Sequence, residues 1–165
     1  MRNFEFKTLA ELLEGNWQGE GTGFFPTIQT FEYTELLKFE CDSERAIMHY
    51  EQKTWIKPTL ANTARNAHWE SGFISFEQEE NPWMMNVHSN GRVESLALKN
   101  ITCDHEVFEL TFLSNYIKND ERMLSSDRKW MINTMTKTLT YEMSMSTLKV
   151  RDKQLHLTAN LKKGS

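Results

Sequence analysis

The sequence predicts an all-β chain: an antiparallel β-barrel of about ten strands with a short N-terminal helix. Three observations carry this reading. Apolar residues recur with a period of two from Asn16 onward, turn signals cut that run into pieces of strand length, and only one segment shows helical spacing.

The helical segment comes first. Thr8 followed by Glu11 has the form of a capping box, Leu9, Leu12 and Leu13 make one apolar stripe, and Gly15 stands where a helix stops. A helix this short must pack on something else to persist. The strands are expected near residues 16–25, 30–40, 45–56, 66–77, 83–89, 92–99, 105–114, 125–133, 136–147 and 150–162. Phe31, Tyr33, Leu37 and Phe39 share a face that Glu35 interrupts; Phe108, Leu110 and Phe112 alternate with Glu109 and Thr111. Leu139, Tyr141, Met143 and Met145 alternate with polar residues most cleanly. Between these runs lie breakers such as Lys57-Pro58, Glu80-Asn81-Pro82 and Asn90-Gly91. With no linker or repeat, residues 1–165 read as one domain.

Composition narrows the function classes. The 165 residues are 39% apolar and 25% charged, enough for a core without disulfide staples. Nineteen basic residues against 23 acidic ones give a net charge of −4, and no basic run marks a nucleic-acid binder. No apolar stretch is long enough to span a membrane, and the first fifteen residues lack a secretory pattern, so a cytoplasmic location is expected. Cys41 and Cys103 are then lone thiols. A barrel of eight strands has room for one small ligand and two more widen it, so a container is the physical default.

Four of the seven glycines fall within Gly15-Asn16-Trp17-Gln18-Gly19-Glu20-Gly21-Thr22-Gly23. Walker-type Gly-Lys-Ser/Thr is missing and no helix follows, so this is not a phosphate loop. Glycines at alternate strand positions permit a bend or a close approach, and taken alone they specify no ligand.

Together with Phe25-Pro26-Thr27, however, Gly15-x-Trp17-x-Gly19-x-Gly21 resembles the GxWxGxG…YPT signature of the nitrobindins, small haem-binding barrels, which implies a lipocalin or fatty-acid-binding-protein type of barrel. The likeness continues through Tyr50-x-Gln52-x-Thr54-Trp55, His68-x-Glu70-Ser71-Gly72-Phe73 and Asn90-Gly91-Arg92-Val93-Glu94, and closes on His156-Leu157-Thr158-Ala159-x-Leu161. The resemblance implies a non-covalent haem b with His156 on the iron, isomerisation of peroxynitrite to nitrate at ferric haem, and nitric oxide binding. It also implies Thr27 near the haem and His68 on the opposite side of it, not as a second iron ligand. Gly15, Trp17, Gly19 and Gly21 enter the cofactor site as signature residues. Arg122 is the nearest basic residue to a lysine that helps relatives hold the haem, and Phe25 replaces the signature tyrosine. The partners implied are small molecules, with a homodimer left open.

The five histidines can be weighed without the family. His105 beside Asp104 and Glu106 reads as solvated, His49 as a hydrogen-bonded strand residue, and His88, just before the Asn90-Gly91 turn, as surface. No histidine pair has zinc spacing. Alternation places Leu155, Leu157, Ala159 and Leu161 on one face and His156 with Gln154, Thr158 and Asn160 on the other, so an inside-apolar rule turns His156 to water unless a bulge switches the pattern. Glu20, Glu51 and Glu70 are strand carboxylates able to line a cavity. Two rival readings stand beside the haem protein. One is a carrier of a fatty acid or other hydrophobic molecule, favoured by a cavity arginine (Arg45, Arg65, Arg92 or Arg128). The other is an interaction module with a filled interior.

Overall fold

The computed structural model describes residues 6–26, 29–59, 63–78 and 80–164. After helix α1 (Phe6–Leu13) come strands β1 (Gly15–Gly23), β2 (Phe31–Asp42), β3 (Ile47–Ile56), β4 (Arg65–Ser75), β5 (Trp83–His88), β6 (Val93–Asp104), β7 (Val107–Lys118), β8 (Met123–Asn133), β9 (Thr138–Thr147) and β10 (Gln154–Lys163). Each strand pairs antiparallel with its chain neighbours, and β1 pairs with β10 to close the barrel. Closure leaves no sheet edge to template aggregation.

The period-two runs became the strands expected of them. Tyr33, Glu35, Leu37 and Phe39 all point inward from β2, so the interrupting glutamate does sit on the apolar face. Phe39, Tyr50, Phe112 and Trp130 fill the middle, where Trp130 meets Phe39, Phe112 and Tyr50 edge-on at centroid distances of 5.5, 5.4 and 6.2 Å.

Helix α1 plugs the end of the barrel where β1 begins and β10 finishes. Leu9, Leu12 and Leu13 are buried as the stripe predicts, each contributing about 1.5–3 kcal/mol through burial. The capping box is corrected: Thr8 lies inside the helix, which already exists at Phe6, because packing of the Phe6 ring on Phe76 at 5.3 Å extends it. The C-terminal carbonyls are satisfied from the barrel. Trp17 Nε1 donates to Leu13 O at 2.7 Å and Lys163 Nζ to Leu12 O at 2.7 Å, placing a cation at the negative helix end. Gly15, at φ +111°, turns the chain from helix into β1.

Two further glycines let β1 approach its neighbours. A Cβ at Gly19 would stand 1.9 Å from the Asn160 carbonyl oxygen, and one at Gly21 would stand 2.3 Å from the Tyr33 ring. That ring crosses over Gly21 so that its hydroxyl donates to Thr158 O at 3.1 Å. Both free cysteines remain unpaired, Cys41 half-buried and Cys103 exposed.

Candidate functional site

A cavity of about 370 Å³ occupies the end of the barrel away from α1, within the range of small-molecule sites. Phe25, Phe31, Met143, Met145 and Leu157 supply an apolar wall; Arg65, His68 and Arg92 supply a polar one. Among the described residues, the helix and the aromatic layer fill the opposite end.

His156 adjoins the apolar wall. The register of β10 against β9 shifts between Leu155 and Leu157, a bulge that turns His156 inward to 3% exposure while Leu155 faces out at 42%. The expectation that alternation turns His156 to water is therefore corrected: the bulge inserts one residue and reverses the faces. His156 Nδ1 lies 2.8 Å from Gln154 O, which can only accept, so Nδ1 carries the proton and Nε2 keeps its lone pair. The Phe25 ring meets the imidazole edge-on at 5.1 Å, and Phe24 N donates to His156 O at 2.7 Å, fixing ring and backbone together. A metal-binding imidazole needs this arrangement: one nitrogen tied to an acceptor, the other free.

The polar wall is built where two strands invert the usual alternation. In β5, Met85 and Val87 face solvent while Asn86 and His88 are buried; in β4, Trp69 and Phe73 face solvent while Glu70 is buried. His88 as a surface residue is accordingly corrected. Its strand continues to the last residue before the turn, so parity with Met84 decides its direction rather than proximity to Asn90. His49 faces outward and bonds Ser71 Oγ at 2.8 Å, and His105 is solvated, both as expected.

A network of charges connects the inverted strands. Buried Arg128 of β8 grips Glu70 with both terminal nitrogens and reaches Glu94 Oε2 at 3.0 Å. Tyr50 donates to Glu70 Oε1 at 2.9 Å and Asn86 to the Tyr50 oxygen at 2.8 Å. Arg92 Nε stands 3.0 Å from Glu94 Oε1, and its Nη2 donates toward His88 Nδ1 at 3.1 Å. His68 Nε2 lies 2.8 Å from Glu70 Oε2 and 3.1 Å from His88 Nδ1. Burial is the largest influence and opposes ionisation of both acids, but Arg128 together with His68 and His88 holds Glu70 well below the carboxylate range, and Arg128 with His88 and Arg92 holds Glu94 at about 2. Glu35, bonded to Gln52 at 2.8 Å, lacks such a cation, and burial raises it to about 8.

Of the residues expected at a cofactor, His68 lines the cavity and His156 adjoins it. Gly15, Trp17, Gly19 and Gly21 are not among the described residues of its lining; they serve the helix and the β1 contacts. Arg122 is exposed and pairs with Asp120 at 2.9 Å. Thr27 lies outside the described residues. Glu20 and Glu51 point outward, each beside a lysine, and only Glu70 of the three carboxylates is interior. Sequence reasoning missed Glu94 and the joining role of Arg128. The signal was there, since Ser126, Arg128, Trp130 and Ile132 share one parity, as do Glu94 and Leu96.

Comparison with known proteins bears on this site. The model of the THAP4-like, heme-binding beta-barrel domain matches residues 5–163. A Nocardioides protein named peroxynitrite isomerase is 34% identical over 82 residues, which are 50% of this chain and 49% of that one. The chain thus spans about half the length of that relative. An Arabidopsis thaliana protein named peroxynitrite isomerase Rv2717c is 28% identical over 92% of this chain and 84% of its own. The crystal structure of Rv2717c from M. tuberculosis superposes with a TM-score of 0.80 at 22% identity, covering 98% of this chain and 99% of that one, a likeness of fold. No helix among the described residues is long and apolar enough to cross a membrane.

Proposed function

The chain belongs to the THAP4-like, haem-binding β-barrel domain family, the nitrobindins whose motifs it carries, and from that premise we propose that it holds haem b on His156 and isomerises peroxynitrite to nitrate, with nitric oxide as a second ligand of the same iron. The single observation that supports this most is the inward, oriented imidazole of His156 beside an apolar cavity.

The residues present fit the group. His156 offers a bare Nε2, and the Gln154 carbonyl that accepts a hydrogen bond from its Nδ1 fixes its tautomer and ring orientation. Phe25, Leu157, Met143 and Met145 would supply the apolar, water-shedding surface that a porphyrin requires. When bound, ferric haem would supply a Lewis acid, the chemistry that conversion of peroxynitrite to nitrate without net redox change calls for. The chain's part is to bind, orient and exclude water. Arg65, exposed on the cavity lining, adds a positive charge that favours entry of an anion. His68 is held to the wall through Glu70, so its position does not depend on the ligand. No protein base is needed for an isomerisation, and no nucleophile–base pair is called upon.

The fatty-acid carrier finds less support. Its carboxylate would need a free interior arginine, but Arg128 is committed to Glu70 and Glu94, and Arg92 to Glu94 and His88. Arg45 pairs with Glu77 outside the barrel, and Arg65, which does line the cavity, is an exposed residue rather than an interior one.

Hemin titration of the full chain tests the assignment. A Soret band should saturate at one haem per chain and accelerate peroxynitrite decay to nitrate in stopped flow. His156→Ala should lose the band while keeping the melting temperature of the parent. A parent that displaces a fluorescent fatty acid yet shows no Soret band would overturn the proposal in favour of the carrier.

A further inference from the structure

We propose that His68, Glu70 and His88 form a metal site of their own in the cavity wall, for a divalent first-row transition ion of the zinc or ferrous class. The proposal does not rest on haem being bound at His156. It rests on convergence: one donor atom from each residue lies within 4.8 Å of the others.

The separations match a coordination sphere. His68 Nε2 to Glu70 Oε2 is 2.8 Å, His68 Nε2 to His88 Nδ1 is 3.1 Å, and His88 Nδ1 to Glu70 Oε2 is 3.2 Å. Donors about 2.0–2.2 Å from a common ion and at right angles to one another stand about 3 Å apart. Two imidazoles and one carboxylate on one face leave the remaining positions of an octahedron open, a donor set suited to iron(II) and its neighbours.

Supporting residues are already in place. Arg92 can only donate, so its contact with His88 Nδ1 marks that nitrogen as the one bearing the lone pair. His88 Nε2 then carries the proton and faces Glu94 Oε2 at 3.5 Å, the carboxylate–imidazole arrangement that steadies a metal-bound histidine. His88 Nε2 makes no hydrogen bond of good geometry, so the ring is held chiefly at Nδ1, by Arg92 and His68.

Binding requires two small changes. The His68 proton moves from Nε2 to Nδ1, a change of tautomer with no proton released, and Arg92 Nη2 gives up His88 Nδ1 while Arg92 keeps Glu94 and Asp120. Charge permits the ion: Glu70 and Glu94 outnumber Arg128 inside the barrel, and Arg92 is matched by Asp120 at the mouth. His68 lines the cavity, so an ion has a path in from solvent. Sequence spacing hides the site because His68 and His88 come together only when β4 pairs with β5.

Calorimetric titration of the metal-stripped full chain with Zn²⁺ tests this. One ion per chain should bind, and saturating Zn²⁺ should raise the melting temperature. His68→Asn and His88→Gln should each weaken binding at least tenfold, and His156→Ala should leave it unchanged. His68 is partly exposed, so its variant decides the matter if the His88 variant does not fold. Absence of binding at micromolar Zn²⁺, binding unmoved by the wall variants, or binding lost with His156→Ala would each overturn the site.

Discussion

The two ends of the barrel are built on opposite principles. At the helix end apolar side chains point inward in the ordinary way: Leu9, Leu13 and Trp17 are completely buried, and the aromatic layer of Phe39, Phe112 and Trp130 seals the space above them. At the far end β4 and β5 send Trp69, Phe73, Met85 and Val87 outward and keep Glu70, Asn86 and His88 inside. One end is stabilised by area removed from water. The other survives only because each buried charge has a partner, and it gains a polar, ligand-sized cavity in return. Stability and function are therefore separable along the barrel axis.

That separation can be tested most forcefully at its polar hinge. Arg128→Ala should cost about 3–5 kcal/mol in urea unfolding, because buried Glu70 would lose its arginine partner and Glu94 would keep Arg92 alone. Replacing all three with apolar residues of matched volume should restore most of the loss. A triple variant as unstable as the single one would show that the network stabilises through more than mutual compensation. Next in size is Leu13→Ala at the helix end, expected to cost about 2–5 kcal/mol while leaving hemin affinity within twofold. A large change in hemin affinity would break the independence of the two ends.

A subtler test uses Glu35, between the ends. Burial raises its carboxyl to about 8 in the fold, above its ordinary value of 4.5, so the folded state binds more protons between those values. Its contribution is fully present below pH 4.5 and is lost as pH rises through 8, at up to about 1.4 kcal/mol per pH unit. Glu35→Gln should flatten the dependence of melting temperature on pH across this window, with Gln52 still bonded; parallel curves for parent and variant would refute it. Glu94 has the opposite sign. Its carboxyl is held at about 2, so its stabilisation is present above pH 4.5 and fades as pH falls toward 2. The smallest effect is expected outside the barrel: Met85→Thr on the solvent face of β5 should alter stability by less than about 0.5 kcal/mol, as differential scanning calorimetry would show.

The sequence by itself determined the barrel. Period-two runs in β2, β7 and β9, breakers between strands and one short apolar helix left few other folds, because each strand must bury one face and a closed sheet alone hides every edge. It also marked His156 through its motif, although local alternation pointed the imidazole the wrong way. Tertiary structure decided the rest. A one-residue bulge in β10 reversed a face, and the parity of β4 and β5 was set by pairing and by the buried partners waiting inside, Arg128 and Tyr50. A polar residue is read as exposed until its partner is known, and here the partners lie on strands far away in sequence, brought into contact only when the barrel closes.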